Sequence, residues 1–298
     1  MNNHILYSAC PACQASNIQT VFEVKDHTVS NTLFTIMQCN HCSLRFTQNV
    51  PDQKAIIPYY KSDKYISHSN SSNGIINKLY QLVRTKTLVQ KRKLIQKHTA
   101  KEKGSLLDVG SGSGAFVNEM KQQGWNVTGL EPDSDARNNA LALYKLSLND
   151  IADFKNLPAN HYDAITLWHV LEHVHQLEIY IQQLKNLLKP QGRIFIAVPN
   201  YTSLDAENYN THWAAYDVPR HLYHFSPKAM NMLIEKHGMK IIAYQPMWFD
   251  SFYISMLSSK YKNGVANLLG SFFVGLQSNI ATILNPKKCS SIIYIIQK

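Results

Sequence analysis

The chain has 298 residues, enough for two domains or for one large domain with an appendage. Apolar residues make up 45% and charged residues only 17%, which supports a sizeable core and excludes a mainly disordered chain. The formal net charge is +10, but residues 74–103 hold nine Lys and Arg against one acid, Glu102, and leave the rest nearly neutral. A globally cationic nucleic-acid binder would spread its charge more widely.

The N-terminal MNNHILYSACPAC has no basic stretch followed by an apolar one. No signal peptide is expected, and the reading is a cytoplasmic protein with reduced thiols. Cys10-Pro-Ala-Cys13 and Cys39-Asn-His-Cys42 form two pairs with 25 residues between them. Each pair sets two sulfurs on one tight turn, and the alternating text between them, as in Thr35-Ile36-Met37-Gln38, reads as short strands. Four thiolates so spaced predict a tetrahedral zinc site. About 50 residues bury too little core to fold unaided, so a metal staple is physically sensible. Residues 1–50 are therefore expected to form a zinc ribbon, with His41 a bystander. Cys289 stands alone and reads as a buried apolar residue.

Residues 51–103 read as a linker and a basic helix. The first part, 51–73, is rich in Pro, Tyr, Ser and Asn. The second places Ile75, Ile76, Leu79, Leu82 and Val83 on one helical face. From Gly104 the pattern changes to alternating strands and helices. Strands are expected at 106–109, 125–130, 162–169, 193–198, 240–244 and 291–296, and helices at 115–123, 134–144, 176–188 and 227–238. The fourth helix segment starts at Pro227, and the third stops at Lys189-Pro190-Gln191-Gly192. Such alternation predicts an α/β fold, a parallel sheet with helices on both faces.

Asp108-Val109-Gly110-Ser111-Gly112-Ser113-Gly114 joins the first of these strands to a helix. Glycines there let the backbone turn tightly and approach a ligand. Glu131 ends the next strand, where a carboxylate can accept both hydroxyls of a ribose. Alone, Gly110, Gly112 and Ala115 also fit a dinucleotide-binding loop. Four segments together are more specific: LLDVGSGSGAF (106–116), LEP (130–132), YDAITLWHVLEHV (162–174) and LKPQGRIFIAVPN (188–200). They resemble the class I S-adenosylmethionine-dependent methyltransferases, and look closest to the branch containing the ubiquinone-biosynthesis O-methyltransferases.

The resemblance implies a Rossmann-like, seven-stranded methyltransferase sheet over residues 104–298. It implies that Asp108 and the loop of Gly110, Ser111, Gly112 and Gly114 hold the methionine end of S-adenosylmethionine, and that Glu131 holds the ribose. Asp150 and Ile151 would sit by the adenine. His169 would follow the fourth strand and face the sulfonium. Methyl transfer is an in-line displacement that needs alignment and exclusion of water. A hydroxyl nucleophile is helped by a general base, for which histidine is suited. The candidates are His221, then His224, then His169. His173, in Leu-Glu-His-Val, reads as a packed residue at a helix start. His221 and His224 lie in WAAYDVPRHLYHFS (213–226), a segment dense in His, Arg and Tyr that loosely resembles the active-site loop of zinc-containing sugar C-methyltransferases.

The expected acceptor is a small molecule, a sugar or a lipid-linked intermediate, methylated at oxygen. A ribosomal RNA methyltransferase is the alternative, with the ribbon and basic helix binding RNA. Against it, exocyclic amine methylation uses an Asn/Asp-Pro-Pro-aromatic motif where this chain reads Leu167-Trp168-His169-Val170. A fold that has lost catalysis and a nicotinamide dehydrogenase are further readings, disfavoured by the intact loop and by the WHVLEHV segment. Residues 247–288 are expected to form a helical insertion that buries its aromatic residues by walling the acceptor pocket. Within it, 264–286 carries no charge and is flanked by Lys262 and Lys287; a buried helical pair is the main expectation, with peripheral membrane contact and a membrane span the alternatives.

Overall fold

The computed structural model describes residues 3–60 and 75–298, the first ten of the second stretch by backbone alone. Residues 61–73 of the linker expected over 51–73, and the apolar face of 75–83, lie outside the described residues or side chains. In chain order the strands and α-helices are β1 (His4–Ile5), β2 (Ile18–Lys25), β3 (Leu33–Cys39), β4 (Arg45–Thr47), β5 (Val50–Pro51), α1 (Ile75–Thr99), β6 (Ser105–Val109), α2 (Ala115–Gln122), β7 (Asn126–Leu130) and α3 (Ser134–Tyr144). They continue with β8 (Tyr162–Trp168), α4 (Leu177–Leu187), β9 (Leu188–Pro199), α5 (Leu204–Tyr209), β10 (Tyr223–His224), α6 (Pro227–Lys236), β11 (Lys240–Pro246), α7 (Asp250–Asn263), α8 (Leu268–Leu284) and β12 (Ser291–Gln297).

The central sheet has the strand order β11-β12-β9-β8-β6-β7. Strand β6 pairs in parallel with both β7 and β8. Among the described residues the sheet has six strands, where seven were expected. The seventh position is reduced to one parallel bridge between Leu130 and Asn149. The physical reason is a short connection: Lys145 takes a left-handed conformation to close α3, and Asp150 already caps the next 3-10 turn. Strand β9 also begins earlier than expected, at Leu188. Gly192 permits this, because a Cβ there would lie 2.9 Å from the carbonyl oxygen of Tyr162.

The chain divides into two compact units. One comprises His68–Trp168, Gln182–Ile196 and Ile295–Lys298. Its central strands are buried along their length, with Leu106, Leu107, Val109, Ala164, Ile165 and Leu167 shielded from water. That is the pattern of strands covered on both faces. Asp163 joins the β6 and β8 ends, accepting from the backbone and hydroxyl of Ser105 and pairing with Lys189 at 2.8 Å and Lys101 at 3.0 Å. The basic helix α1 is partly spent on packing: Ile95 is buried, Arg92 pairs with Glu119 of α2 at 2.8 Å, and Lys91 lies 4.1 Å over the Trp168 ring.

The other unit comprises Met1–Ser67, His169–Ile181 and Ala197–Tyr294. Its four-stranded sheet runs β10-β4-β3-β2, so the cysteine-bearing ribbon takes its outer strand from Tyr223–His224. Arg45 of β4 stacks 4.2 Å over Tyr201 and donates to the Tyr216 hydroxyl at 2.8 Å. Asp205 is buried but well satisfied, accepting from Trp213 Nε1, Ser278 and Ser290 at 2.7–2.8 Å. Helices α7 and α8 fall within the expected insertion and pack on each other. Phe252, read from sequence as a wall of the acceptor pocket, stacks on Phe272, and a Cβ added at Gly275 would press 2.7 Å against its ring.

Candidate functional site

Strand β6 ends in the glycine loop, whose Gly110 and Ser111 amides donate to the Leu130 carbonyl at 2.8 and 2.9 Å. This holds the loop beside the end of β7. Gly112 has φ 51°, and a Cβ built on it would meet nothing within 4 Å. That Cβ would project into open space beside the loop, as expected of a cradle kept clear for a ligand. Gly114 opens α2 at φ 76°, and its Cβ would lie 3.0 Å from that of Ala140, so helix packing also requires glycine there.

Glu131 is buried and oriented by two backbone amides. Gly112 donates to Oε2 at 2.7 Å and Asp133 to Oε1 at 3.0 Å. Burial pushes its carboxyl up, and the two amide bonds restrain the shift. Asp108 is also buried; burial pushes it up to about 6, although Thr166 donates to it at 2.6 Å. A cationic group beside it would restore the carboxylate. Ser111 turns its hydroxyl back to the Asp108 carbonyl at 2.9 Å. Asp150 caps the turn Ile151–Asn156 by accepting from Ala152. Arg137, which sequence reasoning missed, ties these pieces together. It donates to the Glu131 carbonyl at 2.6 Å and pairs with Asp150 at 3.0 Å. Its only sequence signal was its place on the first turn of α3, just after the LEP segment.

The Sγ atoms of Cys10, Cys13, Cys39 and Cys42 all lie within 4.8 Å of one another. Two pairs, Cys10–Cys42 and Cys13–Cys39, are 3.5 Å apart. Zinc–sulfur bonds of about 2.3 Å set sulfur–sulfur edges of about 3.8 Å, so the four thiols fit a tetrahedral zinc.

A second cluster forms around the Leu-Glu-His turn after β8. His169 has φ 58°, a left-handed conformation that disfavours a residue with a Cβ and is often kept for function. Its ring bridges two carboxylates, Glu172 at 3.3 Å and Asp250 at 3.2 Å. Burial pushes this imidazole down, but the two carboxylates outweigh it and hold it up at about 10. His173 places Nδ1 3.0 Å from the Arg220 carbonyl, and His221 places Nδ1 2.8 Å from the Ala215 carbonyl. A carbonyl can only accept, so each Nδ1 carries a proton, and in the neutral ring it is Nε2 that holds the lone pair. The two rings meet edge to face at 4.6 Å. Fully buried Glu172 has an Oε2 without a hydrogen-bond partner. One ligand atom from each of Glu172, His173 and His221 lies within 4.8 Å of the others, so this trio could hold a cation.

His224 is separated from this arrangement by its bonding. The single Thr47 hydroxyl hydrogen goes to the His221 carbonyl at 2.7 Å, so Thr47 Oγ1 accepts from His224 Nε2 at 3.1 Å. Burial pushes His224 well below the usual histidine range. It is packed as a neutral donor. Asp217 and buried Arg220 form an ion pair on the same loop, and Asp217 comes within 3.8 Å of His221 Nε2. The sequence placed these residues in one loop. It did not show that Glu172 and His173, the latter read as a packed residue, would meet His221.

A profile for a methyltransferase domain matches residues 82–244. The mitochondrial ubiquinone biosynthesis O-methyltransferase of Rattus norvegicus is 27% identical over 165 residues, covering 49% of this chain and 47% of that protein. The ubiquinone biosynthesis O-methyltransferase of Cronobacter sakazakii is 35% identical over 103 residues, covering 32% of this chain and 42% of that protein. The chain thus spans about half or less of the length of these relatives. The structure of a candidate sarcosine dimethylglycine methyltransferase from Galdieria sulphuraria superposes with a TM-score of 0.51 at 12% identity, covering 81% of this chain and 90% of that one. That likeness concerns the fold. With the matched domain covering more than half of its length, the chain belongs to the methyltransferase-domain family, with the class I S-adenosylmethionine-dependent fold.

Proposed function

We propose that this protein transfers a methyl group from S-adenosylmethionine to a hydroxyl of a small-molecule, sugar or lipid-linked acceptor. The observation that carries the reading is the Gly112–Glu131 pair: an open cradle beside a buried carboxylate held in place by the loop's own amide. Asp108 would take the ammonium, Glu131 the ribose, and Asp150 with Ile151 the adenine edge. The bound donor supplies an electrophilic methyl on a sulfonium. The chain supplies the proton acceptor, and His221 fits that role because Ala215 fixes the tautomer that leaves Nε2 free. The O-methyltransferase names of the relatives support an oxygen acceptor, and nothing in them supports RNA. We further propose a structural zinc on Cys10, Cys13, Cys39 and Cys42, and a reducing, cytoplasmic setting for its thiols.

The unpartnered Glu172 Oε2 favours a second way of activating the hydroxyl. Glu172, His173 and His221 would hold a divalent cation, whose chemistry would be to acidify a bound hydroxyl. The test is methyl transfer by the purified protein from labelled S-adenosylmethionine to a metabolite extract, read by mass spectrometry. A labelled small molecule whose formation is lost in His221→Ala supports the proposal. Binding of NAD and not S-adenosylmethionine overturns it. A divalent cation bound in addition to the cysteine zinc, and lost together with turnover in His173→Ala, selects the cation reading over the base.

A further inference from the structure

Helix α8 is built inside out for a water-facing helix. Its buried positions are Ser271, Gly275, Ser278 and Thr282, a stripe of small residues spaced three or four apart. Their hydroxyls are engaged inward: Ser271 bonds Ser259 of α7 at 3.0 Å, and Ser278 bonds Asp205 of α5 at 2.8 Å. The large apolar side chains face the other way. Leu269 is 77% exposed, Ile283 71% and Leu284 84%, and Phe272, Phe273 and Ile280 are exposed with them. A helix on a soluble surface turns its apolar stripe to the core and its polar residues to water. Small residues and hydroxyls at the helix contact, with bulky apolar groups outside, is instead the pattern of helices packed in an apolar solvent. Single exposed leucines are ordinary, but a continuous apolar face is not.

The charges around this face indicate what covers it. Helix α8 contains no ionisable residue, and no Asp or Glu follows Asp250 in the chain. Lys260 and Lys262 lie on one flank and Lys287 and Lys288 on the other. Of these, Lys287 sits over the Tyr244 ring at 4.6 Å and Lys288 pairs with Glu207 at 3.2 Å, while Lys260 and Lys262 are exposed on the last turn of α7. A rim with more lysine than acid around an apolar face complements anionic lipid headgroups. A second copy of the chain would bring the same cationic rim against itself. No described helix is long and apolar enough to cross a membrane. We infer that α8 seats the protein on an anionic bilayer surface, lying in the interface with Leu269, Phe272, Phe273, Ile280 and Ile283 in the acyl boundary.

The test is flotation of the full-length protein with phosphatidylcholine vesicles, with and without phosphatidylglycerol. Floating with the anionic vesicles, and less so in high salt, is the expected result. Phe273→Glu and Ile283→Glu should each weaken partitioning about tenfold or more, since a carboxylate must then enter the acyl boundary. Both positions are exposed, so thermal unfolding and S-adenosylmethionine binding should stay unchanged in the same preparations. Lys260→Glu with Lys262→Glu should weaken binding to the anionic vesicles alone. Failure to float with either vesicle overturns the inference. So does a dimer in light scattering that Phe273→Glu dissociates without any vesicle binding, which would assign the face to a second copy.

Discussion

The hydroxyl of Thr47, on the cysteine ribbon, donates to the backbone carbonyl of His221 at 2.7 Å. The Thr47 amide also donates to the Leu222 carbonyl at 3.0 Å, and β4 and β10 pair directly. The ribbon is thereby part of what holds the histidine loop in place. Thr47→Val keeps the shape of the side chain but leaves a buried carbonyl and the His224 Nε2 donor unsatisfied, which costs about 1–3 kcal/mol. Turnover should fall while S-adenosylmethionine affinity is retained. Cys39→Ser should lower bound zinc, measured by metal analysis, and reproduce the same separation. Donor affinity that falls in step with turnover would refute this division of labour.

The donor cradle makes a sharper prediction. Gly112→Val fills the open space with a branched side chain and strains a left-handed backbone, so S-adenosylmethionine binding should be lost in calorimetry. Glu131→Ala removes charge-assisted bonds and should weaken binding by about 1.5–3 kcal/mol. Unchanged affinity in both variants would show that the donor binds elsewhere.

Asp108 sets a pH dependence. Burial lifts its carboxyl to about 6, so below that value the free protein carries it protonated and lacks the charge that the donor's ammonium needs. Affinity should therefore fall as pH drops through this value, approaching about tenfold per pH unit below it. Asp108→Asn should bind weakly at all pH values and flatten the profile. A wild-type affinity that stays flat from neutrality to below that point would separate Asp108 from the ammonium.

Asp163 is displaced in the opposite direction. Burial pushes it up, but Lys189, Ser105 and Lys101 outweigh that and hold it far below the usual carboxylate range. Its stabilisation is fully present above the unfolded value of about 4 and disappears as pH falls from there towards the folded value. Both lysines are partly exposed, so Asp163→Asn should cost a moderate amount, about 1–3 kcal/mol at neutral pH. The gap in melting temperature between variant and wild type should narrow in acid. A gap that widens there would assign the stabilisation to another group.

The local elements were legible in the sequence because their signals are local. The left-handed glycines of Gly110–Gly114, the cysteine pairs and the strand alternation from 104 onward each depend on spacing along the chain, and α3 spans the expected residues. That the seventh position holds, among the described residues, only the bridge from Leu130 to Asn149 was not legible, because the sequence pattern does not show how short that connection is. The meeting of Glu172, His173 and His221 was hidden for another reason: almost 50 residues separate His173 from His221, and Leu-Glu-His reads equally well as packing. The inverted face of α8 was ambiguous in one dimension, since an uncharged stretch with small residues suits a buried helix and an interfacial one alike. Only the tertiary structure shows which side chains face outward, because burial is a property of what surrounds a residue: Asp205 and α7 claim the serine stripe, and the leucines and phenylalanines are left exposed.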